Sequence, residues 1–204
     1  MNNCIIINNR RIDLTEDQIK QLLEMDDSQE VRLSDIPAEE TCKIGEHEFI
    51  VLEHAGAATL LVRKDPLPDD IVFGENNNYN GSNADAACIA FGNEIAAIVG
   101  AENILQHTVD LTANDGLDDY GEIERYASAF TADRQRRYVR TMDMFPTDRW
   151  CWLATPWSTP SHEHDKCVLC VSPSGFIGYS ICDNCDGCGV RPFCILKSNI
   201  FVSK

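Results

Sequence analysis

With 204 residues, 44% hydrophobic and 25% charged, the chain has the make-up of one folded domain with a full core and a small appendage. No apolar stretch approaches the roughly 20 residues of a membrane-spanning helix, so no membrane span is expected. The net charge of −16 argues against direct contact with nucleic acid and favours cations or a basic partner surface.

The first thirty residues read as a unit. Cys4 to Ile7 is β-prone, Asn8-Asn9 a turn, and Arg11 to Leu14 a return strand. Thr15 then caps a helix to about Met25. Gln18 completes a capping box, Leu14 packs on Ile19 as a staple, and Ile19, Leu22 and Leu23 form the apolar face. The polar run Asp26 to Glu30 is a linker. The chain therefore divides into an appendage over 1–30 and a main domain over 31–204. So small a unit must dock on the main domain or on a partner.

Residues 41 to 64 predict a meander, with apolar runs at Phe49–Leu52 and Thr59–Val62 around a turn at Ala55-Gly56. The polar loop from Gly74 to Gly81 follows. Ser82 with Asp85 opens a helix whose inner face is Cys88, Phe91, Ile95, Ile98 and Val99, ending at Gly100. Val109 to Leu111 predicts a short strand and Asn114 to Tyr120 an acidic loop. Thr131 opens a second helix to about Met144, with Tyr138 and Val139 inward. After Pro146 the pattern changes to short strands at 151–154, 167–171, 176–181 and 190–196.

The charge is unevenly placed. From Asp65 to Glu124 there are thirteen Asp and Glu and no Lys or Arg. Arginines then gather at Arg125, Arg134, Arg136, Arg137 and Arg140, the wet side of a helix.

Seven of the ten cysteines lie at or after position 151, and no leader sequence for export is visible in Met1-Asn2-Asn3-Cys4-Ile5, so free thiols are expected rather than disulfides. Cys167-x-x-Cys170 and Cys182-x-x-Cys185 have the form of a four-cysteine zinc site. If 166–172 is a strand, however, Cys167 and Cys170 point to opposite faces and cannot share one ion. No metal is therefore assigned. Were one held, its ligands would be Cys182, Cys185 and Cys188. Calcium is the other cation to weigh, with hard oxygens on Asp183, Asn184 and Asp186 and on Asn76, Asn77, Asn78 and Asn80, though neither stretch has an EF-hand pattern.

Three strings in the last third stand in order: Trp150-Cys151-Trp152-Leu153-Ala154-Thr155-Pro156, Ser172-Pro173-Ser174-Gly175, and Gly189-Val190-Arg191-Pro192-Phe193. Over roughly residues 40 to 200 the chain resembles a domain family of Firmicutes and their phages that carries W-W-L-R-S-P, S-x-x-G and G-V-R-P strings. That family is similar to the formylglycine-generating-enzyme-like branch of the C-type lectin fold. The resemblance implies an α+β, C-type-lectin-like core, two helices on a twisted and mainly antiparallel sheet, preceded here by the strand–strand–helix appendage. With no export leader visible, a bacterial cytoplasmic or phage-virion protein is expected.

In such a scaffold the loops between the last strands carry recognition while the strands hold them still. The contact residues expected are Trp157, His162, Glu163, His164 and Asp165 in one loop, and Tyr179, Asp183, Asn184 and Asp186 in another. Their role is contact, and no catalytic residue is assigned. The function expected is a non-catalytic recognition module of a phage or mobile element, a virion or tail component included, for a protein or glycan ligand; it accommodates a homo-oligomer. Two alternatives stay open. One is an acidic intracellular inhibitor of a basic, nucleic-acid-binding host defence complex, motivated by the stretch 65–124. The other is a copper- or iron-dependent oxidase of the formylglycine-generating type, since Cys182, Cys185 and Cys188 stand shortly before the terminal core strand.

Overall fold

The computed structural model describes residues 4–7, 10–13, 15–17, 30–117, 119–162, 165–183 and 187–204. Strands β1 (Cys4–Ile7) and β2 (Arg10–Asp13) pair antiparallel, with Cys4 opposite Asp13. The turn Asn8-Asn9, Leu14 and most of the expected N-terminal helix, with Gln18, Ile19, Leu22 and Leu23, lie outside the described residues.

The large sheet is built on the expected meander, β4 (Thr41–Ile44), β5 (His47–Ala55) and β6 (Ala58–Arg63), with β3 (Glu30–Arg32) at its far edge. Phe49 to Leu52 is an unbroken apolar run because both faces of β5 are covered. Phe49 and Val51 point to one core, and Ile50 and Leu52 to another. Gly56, at φ 63, gives the β5–β6 hairpin the positive φ that a two-residue connection needs. The helix α1 (Asn83–Val99) packs Phe91 and Ile95 on the first face; the Ser82 side chain caps it by accepting from the Asp85 N–H, and Gly100 at φ 91 ends it.

The opposite face is covered by α2 (Ala132–Arg137), α3 (Val139–Met144) and part of a second sheet. The expected single helix is broken at Tyr138, whose ring is buried beside Phe130, and Val139 is 44% exposed rather than inward. Two further short strands, β7 (Ile104–Leu105) and β10 (Ala127–Ser128), join the large sheet. The hairpin of β8 (His107–Thr112) and β9 (Asp119–Arg125) stands separately; β9 occupies a stretch expected in part as acidic loop.

The second sheet has four strands, in the order β13 (Ile177–Ile181), β12 (Cys167–Val171), β11 (Trp150–Pro156), β14 (Cys188–Gly189). Strand β14 runs parallel to β11, placing Cys188 opposite Trp150. The chain then crosses to the large sheet, where β15 (Phe193–Lys197) lies between β6 and β10, and β16 (Phe201–Ser203) pairs with β3 and β4. The string Gly189-Val190-Arg191-Pro192 is thus the strap between the sheets. Its carbonyls accept at both ends, Val190 from the Leu67 N–H at 2.7 Å and Pro192 from the Arg63 N–H at 2.8 Å. A Cβ at Gly189 would come within 3.2 Å of Pro66 and 3.0 Å of Arg149. Arg191 is a structural side chain here: its Nε donates to the Arg63 carbonyl at 2.8 Å.

The architecture is mixed α+β with mostly antiparallel sheets and few helices. Among the described residues no helix is long and apolar enough to cross a membrane.

Candidate functional site

The predicted contact loops leave the same end of the second sheet. The first continues from β11 through Trp157; the second follows β13 at Cys182 and Asp183. A third segment, the polar loop 72–81, locks them together. Its central residue, Asn77, is fully buried. The Asn77 Nδ2 donates to the Ser158 carbonyl at 2.7 Å and to the Cys167 carbonyl at 2.6 Å. Its Oδ1 accepts from the Tyr120 hydroxyl at 2.8 Å, and its N–H donates to the Asp165 carbonyl at 2.9 Å. A buried amide is tolerable only when so many of its sites are used. The Gly74 N–H reaches the Cys182 carbonyl, the Cys182 N–H reaches the Lys166 carbonyl, and Lys166 Nζ donates to the Glu75 carbonyl.

Around this knot, alternate asparagines shape the surface. The Asn76 Oδ1 accepts from the Asn78 N–H and the Asn78 Oδ1 from the Asn80 N–H, both at 3.0 Å, so the backbone turns twice and remains outside the regular ladders. Asp85, 1% exposed, binds Arg125 through both oxygens at 2.8 and 2.7 Å, and Arg125 Nη2 also donates to Asn80 Oδ1 at 2.8 Å. The hydrogen bonds that Arg125 donates to Asp85 raise the Arg125 pKa, so this rim is a fixed ion pair. The result is a cleft of about 490 Å³ between loop 72–83 and the β13 turn, lined by Glu75, Asn76, Asn78, Asn80, Asn83 and Asp183 among others.

Of the predicted contact residues, Asp183 is exposed and lines this cleft. Asp165 is half-buried and His162 exposed. Trp157 is half-buried, and its ring packs on Tyr179 with centroids 4.7 Å apart. The same Cys167 carbonyl that Asn77 holds also accepts from the Trp157 N–H at 2.9 Å, so the aromatic pair and the cleft hang on one strand end. Glu163, His164, Asn184 and Asp186 lie outside the described residues. Trp152 is core, and its indole N–H donates to the Ile71 carbonyl at 2.6 Å; Trp150 is 37% exposed.

Cys42, Cys88, Cys151, Cys170, Cys182, Cys188 and Cys194 are packing groups of the three cores. Cys170 shares a cluster with Trp152, Cys182 and Cys188, whereas Cys167 has the parity of Leu169 and Val171, which face the other way. Burial pushes the Cys151 and Cys170 thiols up to about 12 and Cys188 to about 11, which suppresses the reactive thiolate. Cys185 lies outside the described residues, and among those described no group of three His, Cys, Asp or Glu is placed to hold a metal ion. The hollow under Arg191, between α2–α3 and the second sheet, holds about 20 Å³, room for about one water.

No protein-family model, no curated protein and no solved structure matches the chain.

Proposed function

We propose that this chain is a non-catalytic recognition module with a C-type-lectin-like core over 31–204 and a docking appendage over 1–30, and that it binds a glycan at the end of the second sheet. The observation that carries the reading is the cleft itself. Its walls are neutral amides, a hydroxyl and two carboxylates, held by a buried cross-tie. Fixed amides and carboxylates are the chemistry that matches arrays of sugar hydroxyls, each of which donates and accepts. An exposed Tyr179 ring at the middle of β13, backed by Trp157, adds an apolar face on the same sheet. The lectin-like core is supported by the two helical layers on opposite faces of the large sheet and by the late strand β15 set inside it, between β6 and β10. The C-terminal loops ride on the smaller sheet. The suppressed thiolates support a binding role over nucleophilic chemistry. We place the protein in a bacterial cytoplasm or a phage virion.

The test is a glycan array followed by titration of the best ligand against Glu75→Ala and Asp183→Ala. Both side chains are on the surface, so melting should stay within about 1 °C of the parent, since surface changes cost less than about 0.5 kcal/mol. Affinity should fall at least tenfold in each. No array signal, or undiminished binding by both variants, sinks the reading.

The β8–β9 hairpin favours a second reading, inhibition of a basic partner. Asp110 stands directly opposite Glu122, with Glu124 two pairs along the ladder, and like charges across a ladder are destabilising. A basic surface laid on this ribbon would relieve that repulsion. Binding that collapses between 50 and 300 mM salt and with Asp110→Asn/Glu122→Gln would select this reading.

A further inference from the structure

The outer edge of the second sheet is open and self-complementary. Strand β13 ends the strand order, paired only with β12 among the described residues, from Cys167 opposite Ile181 to Val171 opposite Ile177 without a bulge. The Ser172 N–H donates to the Phe176 carbonyl and the Cys182 N–H to the Lys166 carbonyl, both at 2.8 Å. Those two pairs fix the alternation of the antiparallel ladder: the even-numbered residues of β13 exchange hydrogen bonds with β12. The N–H and C=O groups of Ile177, Tyr179 and Ile181 therefore point away from the sheet. Soluble proteins blunt such edges with charge, proline, a bulge or a cover. Ile177-Gly178-Tyr179-Ser180-Ile181 has no charge, proline or bulge, and no described strand covers its outer edge. Its surroundings are apolar instead, with Phe176 67%, Tyr179 59%, Ile181 51% and Trp150 37% exposed.

We infer that β13 is a homodimer edge, on which a second copy of this chain pairs its own β13 antiparallel about Tyr179. The strand is symmetric about that residue in size and polarity. A twofold axis through Tyr179 sets Ile177 against Ile181 of the second copy, Gly178 against its Ser180, and Tyr179 against its Tyr179. Every outward group then finds a partner, because 177/181, 179/179 and 181/177 are all of the hydrogen-bonded kind, exchanging two bonds each. An isologous contact sets residue i against residue j twice over, so i and j must suit each other, and here Ile meets Ile, Gly meets Ser and Tyr meets Tyr, with every hydrogen-bonding parity matched. Gly178 and Ser180, the small residues, meet on the face where the Trp150 ring lies 3.4 Å from the position a Gly178 Cβ would take. The seam carries no charge, whereas the chains as wholes carry −16 each. Salt therefore tightens the dimer by screening repulsion over about 8–10 Å. This inference does not rest on the glycan cleft, although the Tyr179 ring offered to the glycan stands on the dimer axis.

Sedimentation equilibrium of the full chain tests it, together with a register-specific cross-link. The parent should be dimeric at micromolar concentration, more tightly at 0.5 M than at 0.05 M salt. Ile181→Lys places a charge on the edge. Tyr179→Pro removes an outward donor while leaving the β12 ladder intact. Each should weaken the dimer at least tenfold, with the far-UV spectrum and cooperative melting retained. Tyr179→Cys should form an intermolecular disulfide under mild oxidation, since hydrogen-bonded antiparallel pairs hold Cα atoms about 5.5 Å apart, within disulfide range. Ser180→Cys, which faces Gly178 of the second copy, should not. A parent that stays monomeric at about 100 µM overturns the inference. So does a dimer that survives both edge substitutions, or a cross-link at 180 and not at 179.

Discussion

Replacing Asn77 by Ala tests whether the three loops of the site stand on one buried amide. The substitution removes two donated hydrogen bonds and one accepted. The Cys167 carbonyl keeps the Trp157 N–H, and Tyr120 is only half-buried, so water can reach its hydroxyl. The Ser158 carbonyl loses its Asn77 donor. With about 1–3 kcal/mol for a buried group left unpaired and about 1 kcal/mol for each ordinary hydrogen bond, the loss comes to about 3 kcal/mol. In a chain of this size that is a fall in Tm of about 6–12 °C. Urea unfolding followed by tryptophan fluorescence reads it, because Trp157 sits on the affected strand end. Asn77→Asp should cost more than Ala above pH 5, since it sets a carboxylate oxygen against two carbonyls. A loss below about 1 kcal/mol for Asn77→Ala, or Asp milder than Ala, would show that the loops hold their shape without it.

Arg125→Ala should cost about 3–5 kcal/mol, because it strands the Asp85 carboxylate in the core, whereas Asp85→Asn with Arg125→Met should recover much of that; thermal melts of the three variants decide. Truncation after Gly189 should abolish cooperative melting, since it takes β15 from between β6 and β10 and leaves their ladders unpaired. His107 has its pKa lowered to about 3, first by burial and then by Arg134, and its Nδ1 has no acceptor for a second proton. The unfolded chain binds that proton near pH 6.5 and the folded chain does not, so stability falls as pH drops from about 6.5 towards 3, by at most about 1.4 kcal/mol per pH unit. His107→Gln should flatten the slope of unfolding free energy between pH 6 and 4.

Local signals were readable where the chain supplies both pattern and punctuation. The helix from Ser82 to Gly100 has a cap, a periodic face and a stop, and β12 was bounded by its own apolar run. Strand β9 was not readable: Asp119 to Arg125 is polar at nearly every position, and its strand form comes from the ladder with β8. The break at Tyr138 has neither Pro nor Gly to announce it; burial of the ring on Phe130 overrides local propensity there. The sequence brought Trp157, Tyr179 and Asp183 forward as loop residues; Trp157 and Asp183 do follow strands at one end of the second sheet, whereas Tyr179 stands mid-strand in β13, opposite Leu169. In the sequence Asn77 stands only as one of four candidate calcium oxygens; its place as a buried cross-tie is not legible there, because the carbonyls it serves belong to residues 81 and 90 positions away. Parity within β13 could be read from the sequence, but its standing at the sheet edge could not.

The dimer edge and the cleft meet on the same small sheet, which has a consequence for binding. Strand β12 carries Cys167, whose carbonyl anchors Asn77 and Trp157, and on its other side it pairs with β13. A second copy joined through β13 therefore fixes two clefts in one rigid, twofold-related frame rather than on a tether. Two sites so held bind a repeating polymer with an effective concentration set by geometry, and avidity can exceed a single-site affinity by about 100-fold or more. Ile181→Lys should then leave the affinity for a short oligosaccharide unchanged while weakening capture of the parent polysaccharide by at least tenfold. Side-by-side titration of oligomer and polymer reads the difference. If both affinities fall together, Ile181 belongs to the ligand contact itself; if neither falls, the two clefts do not act on one polymer.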